Sequence, residues 1–373
     1  MNSVIPAPVA NQPWSMLIPL VLLTCFGSAV LYSAAGGSFS PFADTHLLRF
    51  AIFLVVALVI ASLPRELVKF VAYPSYIAVL LLLVGVEAMG AVGGGSQRWL
   101  EVGPIRLQPS ELMKPTVALA LARFYDSLPT GMFSSWRALL PAGVIIVMPT
   151  LLVLMQPDLG TALAIVFSGA VVMFLAGLPM SWFLSAGAAA AVAVPLAYNF
   201  VLKPYQQRRV TTFLDPESDP LGSGYHITQS KIAIGSGGFT GKGFNEGSQS
   251  HLQYLPEPHT DFVFATMAEE WGFLGGVFVL VCFGLILYWG LKVARNANNR
   301  FDRLLAAGMV ATMFFYIAIN LMMVMGMAPV VGIPLPFMSH GGSSMMTNML
   351  CLGALMMINR WTTQGRGGGL LSN

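Results

Sequence analysis

Apolar residues fall in runs of about 20, each closed by a short cluster of charge, glycine or proline. Neither the alternation of half-buried strands nor the narrow stripe of a soluble helix recurs along the chain. A hydrocarbon core ~30 Å thick takes about 20 residues of helix to cross. Backbone inside it must be helical, because lipid offers no partner for open amides and carbonyls. Cutting the chain at its polar breaks predicts ten spanning helices, at residues 14–35, 46–63, 68–91, 109–127, 137–155, 159–178, 181–202, 262–291, 303–327 and 341–361. The expected fold is an all-α polytopic membrane protein, a single membrane domain over residues 1–373, with a long loop at 203–261 between the seventh and eighth helices.

Composition sharpens this picture. Of 373 residues, 56% are hydrophobic and 9% charged, and the mean hydropathy is +0.72. Soluble domains average ~25% charged residues, so a water-soluble enzyme, a disordered chain and a nucleic-acid-binding tail are all excluded. The net charge of +3, from 19 basic and 16 acidic residues, is too small to argue for a polyanionic partner. Cys25, Cys282 and Cys351 lie far apart in apolar runs, which suits small packing residues and fits neither a disulfide framework nor a metal-ligand spacing. No Lys or Arg precedes the first apolar run and no small-residue cleavage site follows it, so that run reads as a retained span.

Ten spans put both termini on one side, and the basic residues decide which. A cytoplasmic N-terminus places ten inside: Arg65, Lys69, Arg123, Arg137, Lys292, Arg295, Arg300, Arg303, Arg360 and Arg366. Arg49, Arg98, Arg106 and Lys114 then stand outside near short connections. Lys203, Arg208, Arg209, Lys231 and Lys242 lie in the long loop, near the length at which the positive-inside rule stops counting. The balance favours cytoplasmic termini. The inner charges form plain anchor clusters, whereas the outer ones stand among Gln, Pro, Ser and Gly, so chemistry is expected on the outer face.

Several outer strings could carry it. Gly93-Gly94-Gly95-Ser96-Gln97-Arg98-Trp99-Leu100 leads through Arg106 to Gln108-Pro109-Ser110-Glu111-Leu112-Met113-Lys114. Pro109 suits a first helical turn, and Glu111 and Lys114, three apart, share neighbouring parts of one face. Inside a span they read either as a self-neutralising bridge joining two helices or as a cavity wall where Lys114 meets an anion. In Gln156-Pro157-Asp158-Leu159-Gly160-Thr161, Asp158 fits a helix N-cap, and capping accounts for it as simply as chemistry does. Glu87, in the third span, has no evident partner.

The long loop has too few apolar residues for a domain of its own, so it is expected to lie on the membrane surface as a lid or re-entrant structure. Residues Gln229 to Ile234 read as a short amphipathic helix closed by the glycines that follow. The loop ends Leu255-Pro256-Glu257-Pro258-His259-Thr260-Asp261-Phe262, placing Asp261 at the mouth of the eighth span as either an N-cap or a catalytic carboxylate. Helix dipole and desolvation oppose one another there. Glu269 lies two turns beyond, ~12 Å along the axis, too far for a close carboxylate pair. His226 and His259 lack partners at zinc-ligand spacing. Finally, Pro and Gly interrupt residues 328–342, and Ser339 to Ser344 would offer hydroxyls and free amides at the start of the tenth helix, where a phosphate could bind.

Taken together, these strings resemble the SEDS family of membrane proteins, in matching order through essentially the whole chain. The Lys231 context, Gly241-Lys242-Gly243, residues 215–222 and Pro-Val-Val-Gly-Ile-Pro-Leu-Pro at 329–336 look like its cell-elongation branch rather than its division branch. Two positions depart from it: the family usually has Tyr where His340 stands, and elongation members commonly have Arg where Pro258 stands.

The resemblance implies a peptidoglycan glycosyltransferase that polymerises lipid II into β-1,4 glycan on the periplasmic side of the bacterial inner membrane. It implies a class B penicillin-binding transpeptidase as partner, alongside membrane lipids and the growing strand, and no nucleic acid. The family's catalytic aspartate falls on Asp261. Inverting displacement of a diphosphate needs one base, and cations in place of a general acid. Arg49, Arg98, Arg106, Lys114, Arg208, Arg209 and Lys231 would then bind substrate, Asp158 and Glu111 would orient them, and Ser339 and Ser343 would meet the anion. A divalent cation, Mg or Mn, could share that work; the metal ligands stay unassigned and no organic cofactor is expected. A lipid flippase is the rival reading, since polar residues and broken helices also mark transport paths. A scaffold without activity would leave the intramembrane charges unexplained.

Overall fold

The computed structural model describes residues 12–368 except 90, 94–95, 103–104, 130, 134, 201–206, 208–210, 213–214, 216–221, 253 and 256. Before the long loop run α1 (Trp14–Ala34), α2 (Ala43–Ala61), α3 (Arg65–Met89), α4 (Pro109–Ser127), α5 (Trp136–Met155), α6 (Leu159–Ala176) and α7 (Met180–Phe200). The loop contributes α8 (Ser223–Gly237) and the single turn α9 (Ser248–His251), and α10 (Val263–Asn296), α11 (Arg300–Val324) and α12 (Gly342–Gly368) follow. All ten expected spans are present as helices, and eight are long and apolar enough to cross a membrane by composition alone. The other two, α4 and α12, hold the polar strings and lie in the interior of the bundle, where protein rather than lipid covers them.

The most buried span is α11, packed against α4, α6, α10 and α12, while α12 lies along α2 and α10 lies along α1. Lipid tails are as apolar as these surfaces, so small residues and hydrogen bonds between helices hold such a bundle together. Thr312 of α11 donates to Ser168 Oγ of α6 at 3.0 Å, and Ser168 donates to Gly308 O at 3.3 Å. Such bonds are worth ~0.6 kcal/mol on average. In contrast, the most apolar stretch of α7 has no residue buried inside the protein among the described residues.

Three features were not predicted. Three short strands, β1 (Ala91–Gly93), β2 (Ser96–Val102) and β3 (Ile105–Leu107), pair as an antiparallel meander, with Ala91 opposite Trp99 and Leu100 opposite Leu107. The loop helix α8 runs well past the expected Gln229–Ile234 in both directions. Most consequential, α10 breaks at Gly272 (φ 60°, ψ −154°).

At this break four backbone groups that a continuous helix would pair internally are redirected to the loop. Lys242 N donates to Glu269 O at 3.0 Å and Gly243 N to Glu270 O at 3.1 Å. In return Phe273 N donates to Gly238 O at 2.9 Å and Leu274 N to Phe239 O at 3.2 Å. Gly241 is obligatory here: a Cβ would lie 2.0 Å from Glu270 O, and its φ is +84°. Side chains reinforce the join, because buried Glu269 accepts from Lys242 Nζ at 2.6 Å and from Gln249 N, and Ser33 of α1 donates to Glu270.

The end of the bundle away from the loop is a belt of charges bonded between elements. Arg65 pairs with buried Asp302 at 2.7 Å, Lys69 with Asp126 at 2.7 Å, and Arg360 donates to the Ser62 and Leu63 carbonyls.

Candidate active site

The loop end holds a cavity of about 690 Å³ whose walls come from the meander, the starts of α4 and α6, residues 257–262 and residues 330–344. Of the expected site residues, Asp261, Arg98, Glu111, Asp158 and Ser343 line it.

Asp158 is the N-cap of α6. Its Oδ1 accepts from Thr161 N at 3.1 Å and its Oδ2 from Gln108 Nε2 at 3.2 Å, so both oxygens are engaged. Arg98 reaches from β2 to the end of α5, donating to Gln156 O at 3.0 Å and to Pro157 O. A cation on the last carbonyls of a helix is favourable by ~0.3–1 kcal/mol. It also fastens the meander to the bundle.

Glu111, Lys114 and Tyr316 form a closed triad within the bundle. Lys114 Nζ donates to Glu111 Oε1 at 2.6 Å and to the Tyr316 hydroxyl, which donates to Glu111 Oε2. Lys114 has no exposed surface, so it stands behind the cavity wall and not on it. Of its two sequence readings, the structure shows the bridge, extended by a tyrosine from a third element. Removing one partner of such a buried pair costs ~3–5 kcal/mol.

Arg49 of α2 lies just behind the wall, its guanidinium 3.4 Å from the position a Cβ on Gly342 would take, at the start of α12. Its Nη1 lies 3.3 Å from His340 Nε2. Ser343 and Ser344 face the cavity beside it. Ser339 does not: its Oγ accepts from Leu335 N at 2.8 Å and closes a turn. Lys231 is also elsewhere, exposed on α8 with its side chain laid against Gly326. The Arg106 side chain, the Glu87 side chain, Arg208 and Arg209 lie outside the described residues.

Asp261 differs from every other carboxylate on the wall. The N-cap position of α10 is Phe262, and no side chain caps it. Among the described residues the Asp261 carboxylate has no hydrogen-bond or ion-pair partner, whereas Glu111, Asp158 and Glu257 each have one. Burial, and secondarily the charge of Glu257, push its pKa up to about 6. A carboxylate so raised is a stronger base than an ordinary one and is still ionised at neutral pH. Beneath it lies Gly332 (φ +68°), where a Cβ would sit 3.4 Å from Oδ2. Beside it His259 stacks flat on Phe42, centroids 4.1 Å apart, with its own pKa lowered by burial.

Sequence reasoning missed Tyr316 and Asn320. Tyr316 gives no signal among the aromatics of an apolar span. Asn320, the lone carboxamide in the span 303–327, does give one, because an amide in that setting must be satisfied by something.

The carboxylates do not assemble a metal centre: among the described residues no three His, Cys, Asp or Glu side chains form a metal-holding group. Asp158 and Glu111 are turned to Thr161, Gln108, Lys114 and Tyr316 instead.

Known proteins share this arrangement of elements. Residues 13–364 match the family model FTSW_RODA_SPOVE, described as cell cycle protein. The chain is 44% identical over 349 residues to peptidoglycan glycosyltransferase MrdB of Escherichia coli (strain K12), covering 92% of each. It superposes on a chain from a structure described as structural coordination of polymerization and crosslinking by a peptidoglycan synthase complex, with a TM-score of 0.83 and 33% identity, covering 95% of this chain and 99% of that one. The rod shape determining protein RodA of Thermus thermophilus matches with a TM-score of 0.70 and 29% identity, over 94% of this chain and 97% of that one. The chain belongs to the FtsW/RodA/SpoVE family of membrane proteins, the SEDS family.

Proposed function

We propose that this protein is a peptidoglycan glycosyltransferase of the elongation type, which polymerises lipid II with Asp261 as the general base. One observation carries the proposal: the cavity presents a single carboxylate without a partner among the described residues, held at a pKa of about 6. The relatives named as peptidoglycan glycosyltransferases support the reaction class.

In the reaction, the Asp261 carboxylate takes the proton of the acceptor sugar's 4-hydroxyl as that oxygen bonds to the anomeric carbon of the donor. The anomeric bond to phosphate breaks on the opposite side, and undecaprenyl diphosphate departs with the electron pair. One inversion turns the α-linked donor into a β-1,4 link. The leaving group needs no proton, only stabilisation of the charge that grows on it. The Ser343 and Ser344 hydroxyls and the first amides of α12 form the patch suited to that diphosphate, with the Arg49 guanidinium close behind it adding positive charge. Arg98, on the cavity wall, adds positive potential, and Arg106, Arg208, Arg209 and Lys231 belong to the proposal as further basic groups that the sequence points to. Lys114 contributes by fixing Glu111. A divalent cation would enter with the diphosphate it neutralises, and no step is assigned to a protein-held metal.

The cavity would face the periplasm, with both termini cytoplasmic, in line with the distribution of basic residues. A class B penicillin-binding transpeptidase is the expected partner, as the similarity to a chain of a peptidoglycan synthase complex suggests. Lipid II polymerisation by the purified complex, with cross-linking blocked, tests the proposal. Long glycan strands from wild type and none from Asp261→Asn are expected. Strands from the variant would remove Asp261 as base, and none from either would favour lipid transport.

A further inference from the structure

Asn320 lies near the cavity end of α11, fully buried. Its Nδ2 donates to Asp261 O at 2.9 Å and to Ile333 O at 2.7 Å. These carbonyls belong to two segments far apart in sequence, one bearing Asp261 and the other bearing Gly332, which underlies the Asp261 carboxylate. We infer that Asn320 is a positioning residue for Asp261, joining the two segments that form the carboxylate's seat.

The choice of side chain supports this. A carboxamide offers two diverging N–H donors from one uncharged atom, whereas a hydroxyl offers one and an ammonium brings a charge into an apolar span. The Asn320 oxygen is buried without a partner, so the residue carries a desolvated acceptor that a packing leucine would not. What the amide supplies in exchange is the pair of donated bonds. Together they set the distance between the Asp261 backbone and the Gly332 turn, and hence how closely Oδ2 lies against that turn and how little water reaches it.

The inference rests on Asp261 being the base, and the test separates the two. Lipid II polymerisation by the complex with its transpeptidase partner is measured from pH 4.5 to 8 for wild type, Asn320→Leu, Asn320→Ser and Thr312→Val. Leu keeps the volume without donors, and Ser keeps one donor should the Leu variant fail to assemble. Thr312→Val removes a buried hydroxyl two turns away on the same helix. For Asn320→Leu, kcat should fall about 10–100-fold with KM for lipid II within about twofold, as for other residues that orient a reacting group. The acid limb of kcat/KM should move down by about one pH unit as water reaches the carboxylate. Asn320→Ser should fall between, and Thr312→Val should leave the limb in place. An unmoved limb in both Asn320 variants, or a limb that Thr312→Val moves equally, would overturn the inference. No polymerisation by wild type would instead overturn the proposed function.

Discussion

Two aspartates stand at the mouths of two membrane helices, Asp158 before α6 and Asp261 before α10, and in sequence either could be a cap or a catalyst. They part company through their backbones. Asp158 occupies the N-cap position itself, so its oxygens meet Thr161 N and the Gln108 side chain. Asp261 lies one residue earlier, outside reach of the helix amides, and its carboxylate meets Gly332 and the cavity. A carboxylate whose oxygens accept from an amide and a carboxamide is spent on holding the fold together. One without them is left to burial, which raises its proton affinity and makes it available for chemistry.

The contrast can be broken most severely at Asp261: Asp261→Asn should lower polymerisation at neutral pH by at least ~10²–10⁴-fold, the range of a general base. Gly332→Ala should come next. The +68° φ disfavours any L side chain and the added methyl meets Oδ2, so kcat should drop about 10–100-fold while the complex still assembles, as measured by turnover and size-exclusion profile. Titration gives a smaller effect. The ionised form is the base, so kcat/KM should be full above the raised pKa of about 6 and fall about tenfold per unit below it, read from a pH–rate profile. Smallest is Asp158→Ala, expected to cost ~0.5–2 kcal/mol of stability as a lost cap, visible as a lower melting temperature. Asp158→Asn, which keeps an acceptor for Thr161 N, should recover most of it.

The spans were legible because lipid leaves the backbone one solution, and a run of about 20 apolar residues can hardly be anything else. The partners were not. Nothing local ties Lys114 to Tyr316, or Arg98 to the carbonyls after α5, since those contacts join segments brought together only by packing. The meander escaped notice because its glycine-rich string shows neither alternation nor β-branched enrichment. Asp261 itself could be named as catalytic only through family resemblance. Its decisive property, standing one residue outside the cap, depends on where α10 begins, and helix boundaries are the least legible part of any sequence.

The break in α10 also bears on how the chain is built into its membrane. Phe273–Asn296 alone makes about 36 Å of helix, enough to cross a ~30 Å core. The open amides of Phe273 and Leu274, and the carbonyls of Glu269 and Glu270, find their partners only in residues 238–243. Those residues are synthesised earlier and belong to a loop that must itself reach the same side of the bilayer. The eighth span therefore has two unlike parts: Phe273–Asn296 is long enough to cross by itself, whereas the stretch before Gly272 completes its backbone hydrogen bonds only with the loop folded against it.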